Sequence, residues 1–128
     1  VHLLLGNRDI NKLRLPTELS DLHQHAWPLS EHPGVYWSTK GPVRESLGAE
    51  DVALDSPAVR LRWILRDTMG AANAFESRRQ ELSRRAEGRE VADEEVVRSF
   101  REIAQPGGLL FDYLCLGELA VQLGSTLF

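Results

Sequence analysis

The stretch SPAVRLRWILRDTMGAANAF, residues 56–75, predicts a mainly helical fold. Ser56 is a good N-cap, and Pro57 stands at the first helical position, where a missing N–H breaks no hydrogen bond. Gly70 interrupts the stretch, and the charged residues 76–87 extend the helix. Side chains suited to a buried face recur at steps of three and four residues, the period of a helix: Leu61, Ile64, Leu65, Thr68, Met69, Ala72 and Phe75.

Two further helices are predicted after this one. Asp93 is expected to cap a third helix, whose inner face carries apolar residues at helical spacing. Residues 109–123 are apolar on most sides and predict a central helix, which Gly124 would end. The inner face of the third helix consists of Val96, Val97, Phe100 and Ile103.

The first residues predict shorter elements. Residues 1–5 are apolar and stop at Gly6, which is typical of a short buried strand. We expect residues 3–5 and 126–128 to pair in parallel, because the helices between them provide the crossover that such pairing requires. The fold class is therefore mainly α with short terminal β-strands.

Between the first strand and residue 56, the sequence signals for secondary structure are weaker. Residues 10–15 predict a helical turn that ends before Pro16, and Thr17 is expected to cap a helix over residues 18–24. Residues 26–56 contain several prolines and glycines and predict a long irregular loop. Three aromatic residues in this loop either line a pocket or, as we favour, anchor the loop to the core: Trp27, Tyr36 and Trp37.

Composition limits the function classes. The 128 residues carry a net charge of -4, which argues against nucleic-acid binding through a basic face. Asp112, Glu118 and Gln122 interrupt the apolar tail, which argues against a membrane span. The single cysteine, Cys115, has apolar neighbours and is expected to be a buried, inert thiol in a reducing compartment. A cytoplasmic location is the corresponding expectation.

The stretch Gly6-Asn7-Arg8-Asp9 has the most specific chemical interpretation in the chain. An asparagine oxygen is a neutral ligand for a divalent cation, and an arginine fork suits phosphate oxygens. Asp9 could orient that arginine. The alternative is purely structural: the strand leads into a helix that Asn7 or Asp9 caps.

This stretch resembles the Gly-Asn-His-Asp/Glu block of the calcineurin-like metallophosphoesterases. The resemblance implies that Asn7 ligates one of two bridged divalent metal ions. Arg8 stands where most members have a histidine that contacts the phosphate, and Asp9 matches the acidic residue that orients it. The UDP-diacylglucosamine pyrophosphohydrolases also carry arginine at this position. An arginine does not release its proton in proteins, so Arg8 would stabilise phosphate charge rather than act as a general acid.

The resemblance covers part of the family pattern. Residues 62–70, RWILRDTMG, are similar to members with a helical insertion. The Asp-x-His and Gly-Asp-x-x-Asp blocks that precede this one in the family, and the later His and Gly-His-x-His blocks, are not found in the sequence. Three histidines lack the family's flanking residues and are expected at the surface or at helix ends: His23, His25 and His32.

We therefore expect one partial domain of a larger α/β/β/α sandwich. Residues 1–9 would form the strand and metal-site turn, 10–56 short helices and a loop, 57–123 the helical insertion, and 124–128 the start of the next strand. The parent would hydrolyse a phosphomonoester, phosphodiester or pyrophosphate, with this chain inactive alone. Self-association of such a segment is also expected, because apolar surface would be exposed. The rival interpretation is a non-catalytic helical module that binds another protein.

Overall fold

A computed structural model describes residues 2–37, 41–47 and 55–127. The predicted mainly helical fold is confirmed, with one small sheet near the C-terminal end. The helices are α1 (Asn7–Ile10), α2 (Leu15–Glu18), α3 (Asp21–Ala26), α4 (Val43–Leu47), α5 (Pro57–Trp63), α6 (Ala74–Arg85), α7 (Asp93–Ile103) and α8 (Leu109–Leu116). Short 3-10 turns cover Asn11–Arg14 and Leu29–Glu31, a π turn covers Ile64–Thr68, and the strands are β1 (Gln122–Leu123) and β2 (Thr126–Leu127).

Helix α5 begins where the sequence predicts. The Ser56 Oγ accepts the N–H of Val59 at 3.3 Å, which satisfies one of the free donors of the first turn. The helix then widens into the π turn, in which the Met69 N–H donates to the Ile64 carbonyl at 3.1 Å. Gly70 follows with a φ of +65°, a left-handed conformation that glycine adopts without strain. The single long helix predicted from residue 57 is therefore two helices, α5 and α6.

The predicted apolar face of residues 56–75 supplies five of the fourteen described residues that form the core, while Thr68 is only partly buried and Ala72 is exposed. Helix α7 packs against α5 and adds Val96 and Val97, as predicted, and the N-terminal half of the chain adds Leu15, Leu19, Leu29 and Val43. Each such side chain contributes about 1.5–3 kcal/mol when it is fully buried. The buried members of the predicted face are Leu61, Ile64, Leu65, Met69 and Phe75.

Asp93 does not cap α7 as predicted. The N-cap is Ala92, and Asp93 is the first helical residue. Its carboxylate accepts hydrogen bonds from Arg62 at 2.7 and 3.2 Å and also from Arg79. Two guanidinium groups compete better for this carboxylate than the backbone N–H groups of the first turn, because their hydrogen bonds are charge-assisted at both ends.

A shared charge network joins α5, α6 and α7. Arg62 and Arg79 both pair with Glu76 as well as with Asp93. The Arg62 guanidinium lies 3.8 Å from the ring centroid of Phe75, a cation–π contact at the edge of the core. The network therefore links three helices that each contribute side chains to the core.

The helical boundaries before residue 27 differ from the prediction. Helical turns run from α1 through α2, and Pro16 lies in the first turn of α2, where proline is tolerated. Thr17 is inside α2, so it does not cap the next helix. The N-cap of α3 is Ser20, whose Oγ accepts the N–H of His23 at 3.3 Å. Thr17 instead supplies its carbonyl to the Ser20 hydroxyl at 2.6 Å.

The predicted central helix over residues 109–123 is wrong. Helix α8 ends at Leu116, and none of residues 109–116 is buried. Leu109 and Leu116 are 82% and 76% exposed. Gly117 leaves the helix in an extended conformation, with φ -88° and ψ 155°, and Gly124 lies in the turn between β1 and β2 with a φ of +63°. The second glycine thus forms a hairpin rather than a helix end.

The strand pairing also differs from the prediction. Strand β2 pairs antiparallel with β1, so residues 126 and 127 do not pair with residues 3–5; Phe128 lies outside the described residues. Leu4 instead forms a parallel bridge with Glu118. The Leu5 N–H donates to the Glu118 carbonyl at 2.9 Å, and the Glu118 N–H donates to the Leu3 carbonyl at 2.8 Å. Only two residues separate β1 from β2, so β1 is the nearest partner for β2. This short turn explains why β2 pairs with β1 and not with residues 3–5.

The aromatic residues of the long loop do not anchor it. Trp27, Tyr36 and Trp37 are 67%, 95% and 56% exposed, whereas Leu29 and Val43 are fully buried and hold this region to the core. Residues 38–40 and 48–54 of the predicted loop lie outside the described residues.

Two observations bear on the apolar C-terminal region. The thiol of Cys115 is exposed, so the prediction of a buried cysteine is wrong: it lies on α8, which leaves the core. Over the described ranges, the helices are too short and too polar to cross a membrane.

Candidate functional site

The stretch Gly6-Asn7-Arg8-Asp9 forms the start of α1. Gly6 is the N-cap, with an extended backbone, and its carbonyl accepts the N–H of Ile10 at 3.2 Å. The Asp9 Oδ2 accepts the N–H of Gly6 at 3.0 Å. This bond is one half of a capping box. It holds the sharp turn between α1 and residues 3–5, the segment that is bridged to Glu118. Gly6 is thus the N-cap instead of Asn7 or Asp9, which the structural alternative predicted, and Asp9 supports the first turn from the third helical position.

Asn7 and Arg8 have a different environment. Both side chains are exposed, and neither makes a hydrogen bond or an ion pair with any other residue that the structure describes. Lys12 Nζ donates to the Arg8 carbonyl at 3.0 Å and lies 3.5 Å from Asp9 Oδ1. Within the described ranges, no hydrogen bond joins the Asp9 carboxylate to the Arg8 guanidinium. The turn thus leaves one neutral oxygen ligand and one cationic fork free, side by side.

These residues do not form a metal centre by themselves. In the described part of the chain no group of three or more His, Cys, Asp and Glu side chains is close enough to hold a metal ion. The histidines are engaged elsewhere: His2 Nδ1 lies 3.0 Å from Glu118 Oε1, and His25 Nδ1 lies 2.7 Å from the Asp21 carbonyl. Asn7 could supply one ligand to a metal pair, which needs several.

A second candidate site is a cavity of about 170 Å³ between the N-terminal helices and α5. Arg60 is 1% exposed and lies at its wall. Its Nη2 donates to the Trp27 carbonyl at 2.5 Å, while its Nε has no hydrogen-bond partner among the described residues. A buried guanidinium donor without a partner is costly, and because this Nε is fully enclosed by protein, neither water nor a ligand in the cavity contacts it. The lining residues are Arg14, Glu18, His23, Trp27, His32, Arg60 and Trp63.

Two arginines and one glutamate line this cavity, and the Asp55 carboxylate also acts on Arg60. Arg14 pairs with Glu18 through Nε at 2.5 Å and Nη2 at 3.0 Å, so these two charges balance locally. Burial lowers the pKa of the Arg60 guanidinium, while the Glu18 and Asp55 carboxylates act in the opposite direction. Arg60 retains its charge because an arginine does not deprotonate in proteins.

His32 contributes a neutral imidazole. Its ring centroid lies 4.8 Å from that of Trp63. Its Nδ1 accepts the N–H of Gly34 at 3.0 Å, so the neutral ring carries its proton on Nε2. Burial, and then the charge of Arg60, lowers the pKa of His32. At neutral pH the ring is therefore an uncharged donor at the cavity.

Sequence reasoning missed this cavity. It treated His23 and His32 as isolated histidines, although the fold brings both to one wall. The sequence of α5 did contain a signal for the burial of Arg60. Arg60 precedes Trp63 by three residues and Ile64 by four, so it lies on the same helical face as these two buried side chains. A charged residue on a buried face needs a partner, and this requirement could have directed attention to the site.

Comparison with protein families, with curated proteins and with solved structures finds no match to this chain.

Proposed function

We propose that this chain is part of a metal-dependent phosphoesterase, to which it contributes Asn7 as a metal ligand and Arg8 as a phosphate contact. One observation carries the proposal. The turn after the bridged segment presents both side chains to solvent without partners, while the neighbouring Asp9 is bound to the backbone. The exposure of Asn7 and Arg8 is what the resemblance of Gly6-Asn7-Arg8-Asp9 to the metallophosphoesterase block requires of these two residues, whereas Asp9 contacts Gly6 and Lys12 rather than Arg8.

Each residue of the turn then has a distinct role. Asn7 would add an oxygen ligand without adding negative charge, which leaves the metal ions strongly electrophilic. Arg8 would hold phosphate oxygens through its planar fork and would not transfer a proton. Asp9 is a positioning residue, because its bond to the Gly6 N–H sets the backbone from which Asn7 and Arg8 extend.

The proposal requires further ligands from protein segments other than this sequence. The described residues provide no metal-binding cluster, so the 128 residues alone should not hydrolyse phosphoesters. When bound, a metal pair would supply an activated water and charge stabilisation. The parallel bridge between Leu4 and Glu118 is compatible with the larger α/β/β/α sandwich that we propose for the parent, since parallel pairing is typical of such sheets.

The test uses the protein encoded by the complete reading frame, assayed with p-nitrophenyl phosphate and bis-p-nitrophenyl phosphate in Mn²⁺. We expect Asn7→Ala and Arg8→Ala to lower kcat/KM by about 10²-fold, as removal of one charge-stabilising group does in other enzymes. Asn73→Ala and Arg84→Ala are matched controls, because both side chains are exposed and distant in sequence from the turn. Equal activity in all five proteins would contradict the proposal.

The alternative is a helical module that binds another protein without catalysis. The Asp9 carboxylate binds the backbone of the N-cap Gly6, which is a purely structural role, and α8 with its following segment exposes apolar side chains suited to a partner. The same assay separates the two functions. An absence of metal-dependent hydrolysis in the complete protein favours the module, whereas hydrolysis that depends on Asn7 favours the phosphoesterase. The exposed leucines are Leu109, Leu116, Leu119 and Leu123.

A further inference from the structure

We propose that His32 is a pH-sensitive switch, which holds the backbone turn over residues 32–34 while its ring is neutral and releases that turn when the ring is protonated. The segment concerned lies between two anchors in the core, the fully buried Leu29 and Val43. The inference does not depend on the proposed phosphoesterase function, because none of the residues involved belongs to the metal-site turn.

The first argument is the hydrogen bond that the ring accepts. The Gly34 N–H donates to His32 Nδ1 at 3.0 Å, so the side chain closes a turn over the next two residues, as an asparagine does in an Asx turn. Nδ1 can accept only while it carries no proton. A protonated imidazole has an N–H at both nitrogens, so the Nδ1–H and the Gly34 N–H would face each other as two donors. Protonation therefore breaks this bond.

The second argument is the set of charged groups around the ring. The ring shares one cavity with four charged or titratable side chains that act on it: Arg60 of α5, Glu18 of α2, Arg14 of the turn before α2 and His23 of α3. Of these, the glutamate favours a proton on the ring and the other three disfavour it. Burial, and then the charge of Arg60, lowers the pKa of His32 below its ordinary value of 6.5. The stabilisation by the neutral ring is therefore present above about pH 6.5 and is lost as the pH falls through the lowered pKa.

The third argument is what the turn holds in place. The His32 carbonyl accepts the Val43 N–H at 3.0 Å, a bond that protonation of the ring leaves intact. The Gly34 bond is the contact that depends on the state of the ring, and the exposed Tyr36 and Trp37 follow it directly. Protonation is therefore expected to free the backbone after His32 while the core anchors stay in place.

His25 provides an internal comparison. Its Nδ1 lies 2.7 Å from the Asp21 carbonyl, an oxygen that can only accept, so this nitrogen carries the proton of the neutral ring. A second proton would enter at Nε2 and leave that bond in place. Protonation of His25 should therefore leave α3 unchanged, in contrast to protonation of His32.

The experiment follows the imidazole NMR signals of the protein from about pH 8 to about pH 4, together with the relaxation order parameters of the backbone amides. We expect His32 to titrate below pH 6.5. The order parameters of Gly34 and of Val35, which packs against the core, should fall in step with that titration from about 0.85 to below about 0.6. The Val43 amide should remain rigid, because its bond does not involve the ring.

His32→Asn separates the switch from a general effect of acid. An asparagine oxygen can accept the Gly34 N–H and does not titrate, so the order parameters of this variant should stay constant over the same range. His25→Asn is the matched control and should keep the transition of the unchanged protein. A transition that persists in His32→Asn would overturn the proposal, as would a His32 that titrates at or above pH 6.5.

The unchanged protein decides the test if His32→Asn does not fold. The loss of order at Gly34 and Val35 must then coincide with the titration of His32. Constant order parameters while His32 titrates, or a loss of order that follows the titration of His25 instead, would contradict the assignment of the switch to His32.

Discussion

Replacement of Asp93 by Asn tests whether the charge network determines how α5, α6 and α7 are held together. The Asp93 carboxylate binds Arg62 through two hydrogen bonds of 2.7 and 3.2 Å and also binds Arg79. Asparagine has nearly the same shape, but it retains one carbonyl oxygen and no charge. Both arginines would then share a single neutral acceptor, while Glu76 remains their one carboxylate partner in the network.

The expected loss in the free energy of unfolding is about 1–3 kcal/mol. The side chains of Arg62, Arg79 and Asp93 are 37%, 28% and 34% exposed, so solvent screens the network and each ion pair is worth about 0.2–1 kcal/mol. Loss of a negative charge in the first turn of α7 adds about 0.3–1 kcal/mol through the helix dipole. For a chain of this size the sum corresponds to a decrease in Tm of roughly 3–10 °C.

The assay is thermal unfolding followed by circular dichroism, with Asp112→Asn as the matched control. Asp112 is an exposed acid in the first turn of α8, so its replacement should lower Tm only through the helix dipole and should not share the loss of the ion pairs. Hydrogen bonds from Arg62, the largest influence, keep the pKa of Asp93 below its usual value despite burial, which acts in the opposite direction. The stabilisation is therefore present above about pH 4 and is lost as the pH falls further. Equal Tm values for Asp93→Asn and Asp112→Asn at pH 7 would refute the reasoning.

Two further predictions concern other parts of the chain. Hydrogen bonds from Arg89 lower the pKa of Glu95 from 4.5 to about 2, so its stabilising effect is present above pH 4.5 and lost as the pH falls toward 2. Glu95→Gln should accordingly lower Tm at pH 6 and much less at pH 2, whereas Glu90→Gln, which changes an exposed acid outside the helices, should show no such pH dependence. A Cβ at Gly117 would overlap the side chain of Leu5. Gly117→Ala should therefore accelerate hydrogen exchange of the Leu5 and Glu118 amides without affecting α7, and unchanged exchange at both amides would show that the bridge tolerates the methyl group.

The parts of the fold that were predictable are those in which one segment carries its own signals. Residues 56–75 combine an N-cap, a proline and a helical period, and the structure confirms the start of α5 and the burial of five of the seven predicted face residues. The bond from the Gly6 N–H to Asp9 is equally local, although the N-cap is Gly6 and not Asn7 or Asp9. In both cases the decisive partners lie within a few residues of each other in sequence.

The remaining parts depend on contacts between distant residues. Asp93 has a side chain typical of an N-cap, but Arg62 and Arg79 reach it from two other helices. The apolar residues 109–123 contain no local signal that distinguishes a central helix from an exposed one. The helix ends at Gly117, where Leu5 from the other end of the chain approaches closely, and this contact is not visible in the local sequence. Arg60 is the clearest case at the candidate site, because its burial is set by the N-terminal helices that cover it.

The π turn over Ile64–Thr68 closes α5 and ties it to the N-terminal segment. Met69 is the C-cap of this turn, Gly70 follows with a φ of +65°, and the next helix begins at Ala74. The last carbonyls of a helix have no N–H partner within it, and the Thr68 carbonyl accepts from the Asn11 side-chain amide at 3.3 Å. A deletion within the turn would displace this carbonyl and would therefore release the N-terminal segment at Asn11.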